Sequence, residues 1–437
     1  MKKLLTAALA VAALTMITGC TKKEASNGKV LNIYCWNEEF QGRFNDYYAA
    51  KLPVDVTVNW MITPSQDSAY QNKLDEALLR QDEVPADEKI DIFLVESDYA
   101  LKYVDTDFTL DVINDLGISR EDIKDQYKYT QDIMTDSKGH LKGLTWQACP
   151  GGFIYRRSIA KAVLGTDEPE AVGAAIGNWQ KFDDVALKAK EKGYFMLSGY
   201  DDAFRAFSDN MTTPWVIGNK IHIDPQINAW IEQTKKYTAL GYNNKASLWT
   251  AESTQGMGAK GKVFGYFGPA WFIDFVMAPA SLDKQNAPRE PGNGSYGDWA
   301  FCKGPVGFSW GGTWICAAKG TDNADLVKDI LYTLACDPDV MTNIAVNSGD
   351  FTNNINSMTT IANSYYKNPF LGNQNHIKFF LDSATSIDKS NITQYDLGMA
   401  EKLQAAMKDY FNDKITLDQA WENFYTAVLE LYPNLSR

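Results

Sequence analysis

The alternation that begins at residue 30 constrains the fold of this chain more than any other feature. Residues 30–36 (VLNIYCW) form an apolar run of strand length, and Phe40, Phe44, Tyr47 and Tyr48 then recur at helical spacing up to Pro53. Val54, Val56 and Val58 alternate with Asp55, Thr57 and Asn59 at the period of a strand. A second helical face follows in Ala69, Tyr70, Lys73, Leu74, Ala77 and Leu78, and residues 90–95 (IDIFLV) read as a third strand. This order predicts a parallel sheet covered by helices, because two parallel strands need a crossover long enough to hold one. Ligands of such sheets lie beyond the carboxyl ends of the strands, which places Trp36, Asn37, Glu38, Glu96, Ser97 and Asp98 at the edge of a cleft.

A second unit reads similarly. Residues 141–146 and 154–156 are strand-like, and Asn178 is positioned to cap a helix with Trp179, Phe182, Val185, Ala186 and Ala189 on one face, ending at Gly193. Residues 195–198 and 263–267 look like strands, which puts Asp201 on a loop after the first and the turn Gly268-Pro269-Ala270-Trp271 after the second. Residues 281–298 are polar and rich in Gly, Pro and Asn, as in a connection between domains. Beyond it, Trp310-Gly311-Gly312-Thr313 leads into a strand at 314–318, then a helix stopped at Asp337-Pro338. Thr416 and Gln419 form a capping box for the last helix.

Ahead of the alternation, Lys2 and Lys3 precede an apolar run over 4–17 and the tetrapeptide Ile17-Thr18-Gly19-Cys20. The run is too short to span a bilayer comfortably and reads as an export signal. A signal ending in cysteine resembles those of bacterial lipoproteins, which implies cleavage after Gly19 and lipidation of Cys20, with 20–28 as a flexible tether. The protein would then work outside the cytoplasm, anchored to the bacterial cell membrane.

Several classes of function are excluded by composition. A net charge of −13 supplies no positive footprint for nucleic acid. The six cysteines show no CxxC or CxxH spacing, and the acidic group Asp82, Glu83, Asp87 and Glu88 lacks the turn glycine of a calcium loop, so no metal site and no cofactor are expected. Three histidines stand outside any general-base arrangement, and no catalytic residue is nominated.

The order and spacing of these landmarks resemble the family 1 extracellular solute-binding proteins of bacterial ABC importers, the group that includes maltose-binding protein. The resemblance runs over nearly the whole chain after the signal, through VLNIYCW, IDIFLV, Gly143-Leu144-Thr145-Trp146, Phe153-Ile154-Tyr155-Arg156-Arg157, Asn178-Trp179, Gly268-Pro269-Ala270-Trp271 and Gly311-Gly312-Thr313-Trp314. It implies a two-lobed α/β fold of the periplasmic-binding-protein type (class II), each lobe a mixed sheet flanked by helices with the ligand cleft between. Lobe one would comprise 29–142 and 301–348, and lobe two 143–300 and 349–437. A monomer delivering a small-molecule carbohydrate, an oligosaccharide, to ABC permease subunits without chemical change is the function implied.

Twelve tryptophans and 22 tyrosines suit such a ligand, since sugars offer C–H-rich faces for stacking and hydroxyl edges for carboxylates and amides. Trp36, Trp146, Trp271 and Trp310 fall at strand ends or turns, and Trp215 beside Pro214 could line the second lobe. For each, core packing is equally open. Glu38, Glu96, Asp98 and Asp201 could accept hydroxyl hydrogen bonds; equally, Glu38 could stabilise a helix start, Glu96 pair with a lysine and Asp98 cap a helix. Gly312, with Gly311, would let the backbone approach the ligand. Three other readings stay open: a receptor for a cationic solute such as a polyamine, a secreted glycoside hydrolase with paired carboxylates, and a surface adhesin or sensor subunit with no transport role.

Overall fold

The computed structural model describes residues 29–437 except Gln285. The signal, Cys20 and the tether lie outside the described residues. In chain order the strands are β1 (Val30–Cys35), β2 (Thr57–Ile62), β3 (Ile92–Glu96), β4 (Leu144–Thr145), β5 (Pro150–Arg156) and β6 (Val216–Ile217). They continue as β7 (Lys220–Ile221), β8 (Gly265–Pro269), β9 (Trp299–Cys302), β10 (Phe308–Ser309) and β11 (Thr313–Ala317).

The first sheet has the order β2-β1-β3-β11-β4. Its first three strands are parallel, with Ile33 opposite both Trp60 and Ile92. β11 joins antiparallel, placing Ile315 opposite Leu94 on one side and Leu144 on the other. Ile92 to Val95 are all buried, as expected where helices cover both faces of a sheet. The crossover helices Glu39–Tyr47 and Ala69–Leu79 bury Phe40 and Phe44, and Tyr70, Leu74 and Leu78, on that core.

The second sheet is antiparallel around β5, which pairs with β8, β9 and β10. Its alternation divides two cores. Phe153 lies level with Phe267 and Cys302, and all three pack with Phe182, Met407 and Phe424. Ile154 lies level with Tyr266 and Phe301 on the opposite face, against Phe272, Phe380 and Ile377. A short hairpin of β6 and β7 stands apart.

Local signals hold where a side chain closes its own hydrogen bond. Asn178 Oδ1 accepts the Lys181 N–H at 2.9 Å, and Thr416 and Gln419 make both bonds of the capping box. Such a cap contributes about 1 kcal/mol. Elsewhere the structure differs from the sequence reading. The strand expected from Val54 begins at Thr57, because the Val56 N–H donates to the Pro53 carbonyl in a turn that leaves Val54 in solvent. Residues 195–198 form only isolated bridges, Phe195 with Val263 and Leu197 with Asn243. The expected lobe boundaries shift as well. β4 belongs to the first sheet although it follows residue 142, and β9, which straddles residue 300, and β10, which follows it, belong to the second, since backbone pairing holds them there. Helix Pro338–Ser348 links the lobes, with Met341 and Ile344 in the first core and Ala345 in a core of the second.

All five cysteines among the described residues are buried free thiols. No described helix is long and apolar enough to cross a membrane.

Candidate functional site

A cavity of about 410 Å³ opens between the two lobes, within the range of roughly 300–1,000 Å³ typical of small-molecule sites. The first lobe reaches it with the ends of its parallel strands. β1 runs out into Trp36 and Asn37, the first turn of the next helix presents Glu39, and β3 ends on Glu96. Glu96 lies opposite Thr313 of β11, which also lines the cavity after Gly311 and Gly312. From the second lobe come Trp271 after β8, Phe275 and Val276 on the π-helical stretch Phe272–Met277, Trp310 after β10, and Trp249. A π-helical turn widens the coil by one residue and is frequent at functional sites.

The aromatic walls are held by one another. The Trp271 indole N–H donates to the Trp310 carbonyl at 2.9 Å, and the two rings lie 5.0 Å apart, crossing at 69°. Trp249 meets Trp310 at 6.1 Å and 68°. Across the cavity, Trp36 is supported edge-on by Tyr70 and Tyr99. Gly311, at φ 77°, is required by this packing: a Cβ there would come 3.1 Å from Trp271 Nε1. Gly312 is also left-handed, at φ 111°. Trp249 adopts φ 70° without being glycine, at a cost of about 1–3 kcal/mol, and keeps 67 % of its surface exposed.

The polar lining is acidic and amide. Gln147 donates through Nε2 to Glu39 Oε1 at 2.8 Å and to Asp350 Oδ2 at 3.0 Å, while the Arg43 guanidinium stands 3.8 Å from each carboxylate. Burial first, then the Asp350 charge, pushes the Glu39 carboxyl up to about 8. Glu96 accepts the Asp98 N–H at 2.9 Å and the Ser97 hydroxyl at 3.1 Å. Its carboxyl is also pushed up to about 8, by burial and then by Asp98. Beside the cavity, Arg205 of helix Phe204–Ser208 makes a two-armed ion pair with Asp98, one arm at 2.7 Å, and ties the second lobe to the first. Burial opposes the ionisation of Asp98, but the Arg205 charge overcomes it and holds the carboxyl below its ordinary value.

Of the residues singled out from sequence, Trp36, Asn37, Glu96, Trp271, Trp310 and Gly312 line this one cavity. The others are elsewhere. Glu38 is exposed at the helix N-cap, one residue away from the lining Glu39. Trp146 is fully buried in the first core, stacked on Phe40 at 5.8 Å, with no face left for a solute. Trp215, 2 % exposed, packs near Phe424 in the second core. Asp98 is spent on Arg205. Asp201 accepts the Leu248 N–H at 3.0 Å, and so anchors the loop that carries Trp249. Sequence reasoning missed Glu39, Gln147, Trp249, Phe275, Val276 and Thr313; the helical phase after β1 was the available signal for Glu39.

No group of three or more metal-ligating side chains occurs among the described residues. His376 is buried against the Gly349 carbonyl at 2.8 Å, far from a reactive role, and burial holds it down to about 4. The arrangement can stack ring faces and hydrogen-bond hydroxyls or charge-pair with a solute.

The fold recurs in solved structures. A protein described as an extracellular solute-binding protein of family 1 superposes with TM-score 0.74 at 17% identity, covering 92% of this chain and 99% of its own. The ABC-transporter-associated binding protein of B. animalis subsp. lactis, solved with β-1,6-galactobiose, gives 0.67 at 16% identity, covering 93% and 98%. The sugar-binding protein MalE of Xanthomonas citri gives 0.69 at 14%, covering 92% and 98%. At these identities the likeness establishes the two-lobed fold. No curated protein matches the chain in sequence. The family model for bacterial extracellular solute-binding proteins matches residues 43–368, most of the chain, and on that ground this protein belongs to the bacterial extracellular solute-binding proteins.

Proposed function

We propose that the protein is the capture subunit of an ABC importer for a carbohydrate, an oligosaccharide, taken up between the lobes and delivered unchanged to permease subunits. The observation that carries this reading is the interlobe cavity, with Trp36, Trp249, Trp271 and Trp310 as stacking surfaces and Glu39, Glu96, Asn37 and Gln147 as hydrogen-bonding edges. The galactobiose complex and MalE, both of the same fold, support it. Family membership places the protein outside the cytoplasm. Cys20, outside the described residues, would carry the lipid anchor, so Cys20→Ala should release the protein from the membrane and leave solute affinity unchanged.

Closure is a hinge motion about the lobe-crossing segments, which turns binding into a shape change that a permease can detect. The test is a thermal-shift screen of the mature chain against saccharides and polyamines, because a ligand bound only by the folded state raises Tm by mass action. A saccharide should raise Tm and be recovered intact; hydrolysis products would move the protein to the glycosidases, and a response to polyamines alone would move it to the cation receptors.

A further inference from the structure

Trp249, Trp271 and Trp310 do not form a flat platform. Adjacent rings cross at 68° and 69°, so their faces make a corner. A sugar ring stacks on one flat face, whereas a corner of indoles surrounds a compact positive charge with the negative faces of the rings. The ionisable groups that line the cavity are Glu39 and Glu96, with no lysine or arginine among the lining residues. The nearby cations are already committed. Arg43 is shared between Glu39 and Asp350, Arg205 is held by Asp98 while lying over Trp310 at 5.8 Å, and Arg289 pairs with Asp274 at 3.0 Å. Carboxyl groups therefore outnumber guanidinium groups around the cavity, so the charge it can develop is negative, and an anionic solute would meet no uncommitted cation among the lining residues.

We propose that the captured solute carries an ammonium group seated in the tryptophan corner, with Glu39 and Glu96 as its counter-charges. Resting on the carbohydrate reading above, this makes the solute a saccharide with a free, unacylated amine. The protonation of the site agrees. Glu39 faces Gln147, Asp350, Arg43 and Asp274, and Glu96 faces Ser97, Asp98, Arg205, Tyr99 and Cys149; in these surroundings burial pushes both carboxyls up to about 8. An empty site thus holds protons at neutral pH, and an ammonium would expel them as the carboxyls ionise. Affinity for the charged amine should rise with pH up to about 8, until the amine itself loses its proton. A neutral saccharide, bound best by the protonated site, would weaken over the same range.

The experiment is calorimetry of the mature chain near pH 7 in two buffers of different ionisation heat. The probes are mono- and disaccharides matched in linkage, in 2-amino, 2-acetamido, 2-hydroxy and uronic acid forms, with spermidine alongside. The amine should bind about tenfold or more tighter than its acetamido and hydroxy counterparts, with proton release. In Glu39→Gln and Glu96→Gln the ratio of amine to neutral affinity should shrink toward one, and their Tm values report folding. Equal or tighter binding of the neutral or uronic form overturns the ammonium proposal and leaves the carbohydrate reading intact. Binding of spermidine with no amino sugar keeps the ammonium and removes the saccharide. Failure of every amine-bearing solute to bind overturns the proposal outright.

Discussion

Two polar regions lie side by side where the lobes meet, and they are satisfied in different ways. Around Asp98, two carboxylates find cations within the chain: Asp98 pairs with Arg205, and Asp209 pairs with Lys389 at 2.7 Å and accepts the Ser309 N–H at 2.7 Å. The side chains there are between 9% and 24% exposed. In the cavity, by contrast, burial pushes the Glu39 and Glu96 carboxyls up to about 8, four tryptophans line open space, and Trp249 holds a costly backbone angle. A region that balances its own charges needs nothing more to be stable. One that keeps carboxyls without a cation of their own and leaves aromatic surface uncovered is built for something that arrives from outside.

Substitutions can break or sharpen this contrast. The largest effect is expected from Trp271→Ala, which removes a wall and its bond to the Trp310 carbonyl: solute affinity should fall by about 2–3 kcal/mol, while Tm falls less than for a core truncation because the side chain is only partly buried. Calorimetry beside a melting curve reads both. Next is Gly311→Ala, where a left-handed angle and contact with Trp271 should cost about 1–2 kcal/mol of stability in denaturant unfolding and weaken binding with it. Arg205→Ala should act differently. Loss of the interlobe pair shifts the lobes toward the open state and lowers affinity by about 1 kcal/mol through population, with small-angle scattering reporting a larger radius of gyration. Asp98→Asn should mimic it, and the double variant should be no worse than either single one. Smallest is Trp249→Gly, which relieves strain: stability should hold or rise by up to about 1 kcal/mol while affinity drops. If Trp271→Ala unfolded the chain and Trp249→Gly destabilised it strongly, the cavity would be core, and the contrast would be gone.

Several elements of both lobes are legible in the chain because their signals are local. The period of Phe40 and Phe44, the apolar run through β3 and the caps at Asn178 and Thr416 each depend on neighbours within a turn or two. The second sheet is harder to read. β5 starts at Pro150 and runs through Gly151 and Gly152, and its partners β8, β9 and β10 come from far along the chain, so pairing rather than propensity decides it. The same distance governs the tryptophans. Trp146 and Trp271 both follow strand-like segments, and what separates them is Phe40, which stacks on Trp146 from a helix in another part of the sequence. Glu38 and Glu39 differ by a single step of helical phase, fixed only once the helix start at Glu39 is known. Asp201 was legible as a loop carboxylate, but its work is indirect, holding the Leu248 N–H next to Trp249.

The central claim is that the tryptophan-lined cavity between the lobes takes up a saccharide. It is tested most directly by calorimetric titration of wild-type and Trp271→Ala protein with the saccharide that raises Tm the most. The account predicts saturable one-to-one binding by the wild type, with the sugar recovered intact, and an affinity lowered by about 30-fold or more in the variant. Unchanged affinity in a folded Trp271→Ala variant would contradict it, because the saccharide would then be bound somewhere other than this cavity.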